Sequence, residues 1–323
     1  MRTLDPPATL IFNPHAGYKL GISTNSAGPE QVMTALHQAG IPFEPRPTER
    51  PGHATELARQ AVAERRGLVI AAGGDGTVAE VGAALVNTDV VMGIIPSGSV
   101  MNTARTLAIP RDLPGAAATI ASGAVLAMDV GRVADRYFLE ACGVGLVAGL
   151  FRYFDRLDSG AAPSKVFQNA IRFLRGLGTP RVVIEADGRQ FMVRTPMVTV
   201  ANGPFVGAAY ALAPNALVDD GQLDVVVFRG AGVLRALFHL ALVAGGRRLP
   251  PPREAQTFRA RRITIATRSR RRPLPVHADG TVIRSTPVRL EVVPGALRVL
   301  VGTPDPATPP AWTTGLPPTG GGH

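Results

Sequence analysis

The sequence predicts an α/β N-terminal domain, built on a doubly wound parallel sheet, followed by a β-rich sandwich domain. Two observations carry that expectation. Apolar strand-like runs alternate with helical patterns up to residue 125, the βαβα order that builds a parallel sheet. After Met128 the helical patterns thin out, and short strands bounded by turn signals take over. The expected division is 1–128 for the α/β domain and 129–302 for the sandwich. A tail rich in proline, threonine and glycine, 303–323, is expected to be disordered.

Ala8 to Phe12 reads as the first strand. A helix follows near Pro29 to Ala39, ended by Gly40, and another near His53 to Arg66, with Gly67 at its C′ position. Val90 to Ile95 is a further buried strand, and the helix behind it stops before Ile109-Pro110. In the second half, Arg181 to Val193 is a hairpin centred on Asp187-Gly188. Met197 to Ala201, Leu223 to Phe228, Arg262 to Thr267 and Val288 to Val293 are strand-like. Helices intrude only near Lys165 to Leu174 and Leu234 to Val243.

The most informative stretch is Leu68-Val-Ile-Ala-Ala-Gly-Gly-Asp-Gly-Thr77. Five apolar residues end abruptly in glycines, and Val78 to Leu85 then reads as a helix, with Thr77 and Glu80 at capping-box spacing. Strand, glycine turn and helix N-terminus together bind phosphate, because the backbone approaches closely and its free N–H groups face the anion. A tight βα connection with no ligand would show the same spacing. The chain lacks the Gly-Lys-Ser/Thr ending of a P-loop, and no G-x-G-x-x-G opens this helix. A bound phosphate would therefore rest on the backbone and Asp75.

An apolar content of 46% with only 5% aromatic residues suits one large or two medium soluble domains. Cys142 is the only cysteine, which excludes an intrachain disulfide and fits a reducing, cytoplasmic compartment. Asp5, Pro6 and Pro7 interrupt the N-terminus before an apolar signal region forms. The nearest candidate for a membrane span, Ala231 to Gly246, is too short and carries Arg235 and His239. Net charge is +10, and of 34 basic residues only Lys19 and Lys165 are lysines. Arginines concentrate between Arg247 and Arg272. They form either a solvated face or a patch for peripheral contact with an anionic membrane. No zinc spacing, helix-turn-helix or interleaved aromatics point to nucleic acid. A homodimer is compatible with the sequence.

The GGDGT segment resembles the diacylglycerol kinase catalytic-domain family, the bacterial lipid kinases and their sphingosine and ceramide kinase relatives. NAD kinases and 6-phosphofructokinases share GGDGT, so other matches narrow the choice. Ile11-Phe-Asn-Pro-His-Ala-Gly17 resembles the family's Asn-Pro-x-x-Gly opening. Ile95 to Pro110 resembles its Pro-x-Gly-Thr element, Leu217 to Asp224 its metal-binding turn, and Pro275 to Gly280 the start of its Asp-Gly-Glu motif.

The resemblance implies ATP and Mg2+ as cofactors and an active site in the cleft between the domains. The nucleotide would be held by Asn13, Thr48, the loop Gly73, Gly74, Asp75, Gly76, Thr77, Val78 and Ala79, and Ser99. Read locally, Asn13 is an ordinary Asn-Pro turn and Ser99 an N-cap. The family's asparagine two residues beyond Ser99 is displaced: Met101 stands there and the asparagine is Asn102. A one-residue shift turns a helical side chain by about 100 degrees. A magnesium site that holds the domain shape is implied from the carbonyls of Leu217 and Gln222 and the carboxylate of Asp220, an all-oxygen set suited to a hard cation. A second magnesium would arrive with ATP, bridging its phosphates.

Asp75 and Asp279 are the implied catalytic residues, with Asp279 as base for the acceptor hydroxyl. Locally, Asp279-Gly280 is a hairpin turn. The family's following glutamate is replaced by Thr281, which accepts no proton near neutral pH. His277, two residues earlier, is a substitute base or a structural residue. The leading reading is an ATP-dependent kinase acting on the hydroxyl of a diacylglycerol-like or sphingoid membrane lipid. The alternatives are an NAD kinase-like enzyme and a catalytically weak nucleotide- or lipid-binding regulator, the latter motivated by Thr281.

Overall fold

The computed structural model describes residues 7–14, 18–19, 22–23, 28–151, 162–207, 211–230, 232–244, 254–269, 272–305 and 310–313. The first half contains β1 (Ala8–Phe12), β2 (Tyr18–Lys19), β3 (Ile22–Ser23), α1 (Pro29–Gln38), β4 (Phe43–Pro47), α2 (His53–Ala63), β5 (Leu68–Gly73), α3 (Asp75–Leu85), β6 (Val91–Pro96), α4 (Asn102–Thr106) and α5 (Leu113–Ser122). Strands β6, β5, β1 and β4 lie side by side and parallel. All six residues of β5 are buried, as expected for a strand covered by helices on both faces.

β4 and α5 are among the elements that escaped the sequence reading. β4 carries Pro45 and Pro47, which cannot donate to a ladder, and it survives because it lies at the end of the sheet. α5 is delimited by Asp112, whose Oδ1 accepts the Gly115 N–H at 2.8 Å, and by left-handed Gly123. α2 also ends earlier than expected, at Ala63, because Arg65 takes a positive φ before Gly67 is reached.

The second half contains β7 (Val125–Val133), β8 (Arg136–Phe138), β9 (Ala141–Gly145), α6 (Pro163–Leu177), β10 (Arg181–Ala186), β11 (Arg189–Arg194), β12 (Met197–Ala201), β13 (Leu223–Phe228), α7 (Val233–Ala244), β14 (Ala255–Ala260), β15 (Arg262–Thr267), β16 (Pro275–Ala278), β17 (Thr281–Ser285) and β18 (Val288–Leu300). Residues 146–151 are also helical. A six-stranded sheet, β14-β13-β12-β9-β16-β17, packs on β11-β10-β15-β18 and β7. Alternation along β13 builds both sides: Leu223, Val225 and Val227 enter the sandwich core, while Val226 and Phe228 face α7 residues Ala236, Leu240 and Val243.

The boundary expected at 128/129 falls inside β7, and no break exists there. β18 is likewise longer than expected. Its first part pairs with β15, and beyond a bulge at Gly295 it continues along β7 to meet β6 in parallel at Val299–Met92. One sheet thus runs from the sandwich into the parallel domain. This continuity fixes the geometry of the cleft.

The described part of the tail departs from the expected disorder. Trp312 is buried in the core that also holds β1, β5 and β6 residues, and Ala311 C=O accepts the Val218 N–H at 2.7 Å. Burying an aromatic of this size is worth about 2 kcal/mol or more, enough to hold a short polar segment in place.

Candidate active site

The carboxyl ends of the four parallel strands form one edge, and the expected nucleotide residues line it. Asn13 follows β1, and its N–H donates to Ala72 C=O at 3.1 Å. Thr48 follows β4, and its N–H donates to Phe12 C=O at 2.8 Å. Gly73 to Ala79 lead from β5 into α3, and Ser97 to Met101 follow β6. Ligands of open α/β sheets bind outside this edge.

α3 begins at Asp75, two residues before the expected cap, with Gly74 as the N-cap. The Thr77–Glu80 capping box does not form. Glu80 Oε1 instead accepts the Gly52 N–H at 2.9 Å, joining α3 to the start of α2. The earlier start places Asp75 in the first helical turn, facing the second glycine loop. Its Oδ2 accepts the Met101 N–H at 2.8 Å, while its Oδ1 is buried without a donor. The two loops touch: a Cβ on Gly98 would lie 2.6 Å from Gly74 Cα, so only glycine lets the backbones meet.

Ser99 is exposed and does not cap α4, whose N-cap is Met101 in a left-handed conformation. Asn102 opens α4 directly behind that left-handed residue and reaches the segment that leads into β9. Its Nδ2 donates to Glu140 Oε2 and to Gly207 C=O, both at 2.8 Å, and its Oδ1 is buried without a donor.

Asp279 sits in the β16–β17 turn with φ +43°, so the local reading as a hairpin holds. Its side chain does more. Oδ2 accepts the Leu139 N–H at 2.7 Å, and Oδ1 accepts the Glu140 and Ala141 N–H groups at 3.0 Å. Burial raises its pKa to about 6, against the lowering effect of those three bonds. Asp279 is therefore anchored to backbone on both oxygens.

The acid that sequence reasoning missed is Glu140. Burial first, then the nearby charges of Asp75 and Asp279, push its pKa well above the ordinary glutamate range. Asn202 fixes it from the other side: its N–H donates to Glu140 C=O at 2.8 Å and its Nδ2 to Leu139 C=O at 3.1 Å. The available signal was a lone acid inside the apolar run from Tyr137 to Val147. Asp75, Glu140 and Asp279 thus form one acidic cluster between the glycine loops and the sandwich.

His277 is buried, its ring tilted against Phe151 with centroids 4.7 Å apart, and its Nδ1 accepts the Gly280 N–H at 3.3 Å. Burial lowers its pKa to about 4, so the ring is neutral and structural.

The expected magnesium turn is arranged differently. Asp220 Oδ1 accepts the Gln222 N–H at 3.0 Å, and Oδ2 lies 3.2 Å from the guanidinium of Arg259 on β14. Arg259 also reaches Asp224 at 3.5 Å and donates to Asn215 C=O at 2.7 Å. Asp219 accepts the Thr313 N–H and hydroxyl, and Asp129 accepts the Gly221 and Gly295 N–H groups. No cluster of three or more His, Cys, Asp or Glu that could hold a metal ion exists among the described residues. A hard cation needs several oxygens free to turn toward it. In the set Leu217, Asp220 and Gln222 the positive charge is supplied by Arg259 as arranged, while Asp220 Oδ2 is a buried oxygen that accepts no hydrogen bond.

A parallel sheet with two touching glycine loops at its carboxyl edge, closed by a sandwich that delivers an acidic cluster, defines a two-domain kinase. Residues 7–133 match the diacylglycerol kinase catalytic domain, and residues 145–301 match the YegS C-terminal NAD kinase beta sandwich-like domain. The chain belongs to the diacylglycerol kinase family. It is 32% identical to a diacylglycerol kinase of Bacillus subtilis (strain 168) over 70% of this chain and 75% of that one. It is 28% identical to that of Staphylococcus haemolyticus over 76% and 74%. The fold is shared with a crystal structure of a diacylglycerol kinase from Bacillus anthracis str. Sterne: TM-score 0.69, 24% identity, 94% of this chain and 98% of that one covered.

Proposed function

We propose that this enzyme transfers the γ-phosphoryl group of ATP to the hydroxyl of a diacylglycerol-like or sphingoid lipid. The observation that carries the reading is the placement of the Asp75–Glu140–Asp279 cluster directly against the Gly73–Gly76 and Gly98–Met101 loops. Phosphoryl transfer needs positioning and charge control around the phosphates more than covalent chemistry. Glycine loops at strand ends supply backbone donors for the phosphates. Magnesium enters with ATP as part of that substrate.

The lipid would be met at a membrane surface, since among the described residues no helix is long and apolar enough to cross a bilayer. Arg181, Arg268 and Arg272 line a groove of about 990 Å3 together with Phe173 and Leu177 of α6. Phe167 on α6 and Leu234 and Phe238 on α7 are exposed. Arginines beside exposed apolar side chains support peripheral contact with anionic lipid at a cytoplasmic membrane face. Arg247, Arg248, Arg253, Arg270 and Arg271 of the expected basic face lie outside the described residues.

A weakly catalytic regulator remains the second reading, because Thr281 is exposed and brings no acid to the cleft. Incubation with radiolabelled ATP, magnesium and a lipid panel, with NAD as control, separates the readings. Labelled lipid supports the kinase, labelled NADP the NAD kinase alternative, and ATP binding without transfer the regulator.

A further inference from the structure

Of the three clustered acids, Asp279 has both oxygens bound to backbone N–H groups, and Asp75 has one so bound. Among the described residues the Glu140 carboxylate accepts a hydrogen bond only from the Asn102 amide, while its own backbone is clamped by Asp279 and Asn202. We propose that Glu140 is the general base for the lipid hydroxyl, and that Asp279 is a positioning residue acting through the backbone of Glu140. The inference rests on the lipid kinase reading.

In the proposed step the acceptor O–H proton passes to a Glu140 oxygen as the hydroxyl oxygen bonds to the γ-phosphorus. The bond from phosphorus to the β,γ-bridging oxygen breaks, and ADP leaves with that electron pair. Asn102 donates to Oε2 and so favours the ionised form, while Asp75 from α3 and Asp279 from the β16–β17 turn disfavour it. Burial is the larger cause, and the net effect raises the pKa of the group, the direction that strengthens a general base.

Glu140→Gln tests this. Glutamine has the same shape and removes a charge from a buried acidic cluster, so the variant is expected to fold with an undiminished Tm and to bind ATP as the wild type does. Its kcat is expected to fall about 100- to 10,000-fold with KM for ATP unchanged, and the acid limb of the kcat–pH profile is expected to vanish. Glu140→Asp keeps the charge but withdraws it by one methylene, and is expected to recover part of kcat with the acid limb present. Full turnover in Glu140→Gln, or an unchanged acid limb, overturns the proposal. If Glu140→Gln loses Tm or ATP binding, Glu140→Asp decides: a fall in kcat alone supports it, and unaltered kcat overturns it. A wild type that labels no lipid instead removes the function reading on which the inference stands.

Discussion

Asp279 holds Glu140 by its backbone: the turn aspartate accepts the Glu140 N–H at 3.0 Å and the flanking Leu139 and Ala141 N–H groups as well. The residue expected to move a proton is thus the one that shapes the segment beside it. Asp279→Asn leaves one carbonyl oxygen for three donors and points an NH2 at one of them. Each N–H left without an acceptor costs on the order of 1–3 kcal/mol. The variant is expected to lose both stability and turnover, measured by urea unfolding and lipid phosphorylation. Unchanged unfolding would show that the clamp carries no energy.

Contact between the glycine loops gives a matched pair of substitutions. Gly98→Ala places a methyl 2.6 Å from Gly74 Cα, whereas Gly76 has nothing within 4 Å of an added Cβ. Gly98→Ala is expected to weaken ATP binding at least about tenfold, a difference of roughly 1.4 kcal/mol, and Gly76→Ala to be tolerated. Calorimetric titration with ATP checks both. Equal affinities would mean the loops need not touch to bind nucleotide.

Asp75 joins those loops and carries a buried oxygen without a donor. In Asp75→Asn the amide oxygen still accepts from Met101, so the Tm is expected to stay close to wild type while phosphoryl transfer is lost. A large drop in Tm with activity preserved per folded molecule would make the residue structural.

Arg259 predicts that thermal stability does not respond to magnesium or to a chelator. Asp220→Ala leaves the partly exposed guanidinium with the more distant Asp224, and is expected to lower stability modestly, by about 1 kcal/mol. A magnesium-dependent rise in wild-type Tm would show that a cation displaces the arginine.

His277 supplies a pH test. Its pKa is depressed from about 6.5 in the unfolded chain to about 4 in the folded one. Between these values the unfolded chain binds a proton that the folded one does not. Its contribution to stability is therefore full above about pH 6.5 and is lost as pH falls toward 4. NMR of the ring protons is expected to show no titration from pH 5 to 8. A midpoint near 6.5 would return His277 to the list of acid–base candidates.

The parallel domain was legible in the sequence because its signals are local. A buried strand such as Leu68 to Gly73 is a continuous apolar run, and its glycines mark the turn whatever surrounds them. The same holds for the Asp187-Gly188 hairpin and for the general shift from α/β to β-rich. The residue types that bind phosphate follow from the same local chemistry, which is why Gly73 to Ala79 stood out without any partner in view. Tertiary structure alone decided how the acids are used. Asp279 meets Glu140, Asp220 meets Arg259 and Asn102 meets Glu140 across strands far apart in the chain. Whether a carboxylate serves as base, clamp or ion-pair partner depends on which donors lie within about 3 Å of it. Sheet pairing sets those distances, and residue spacing along the chain does not encode them.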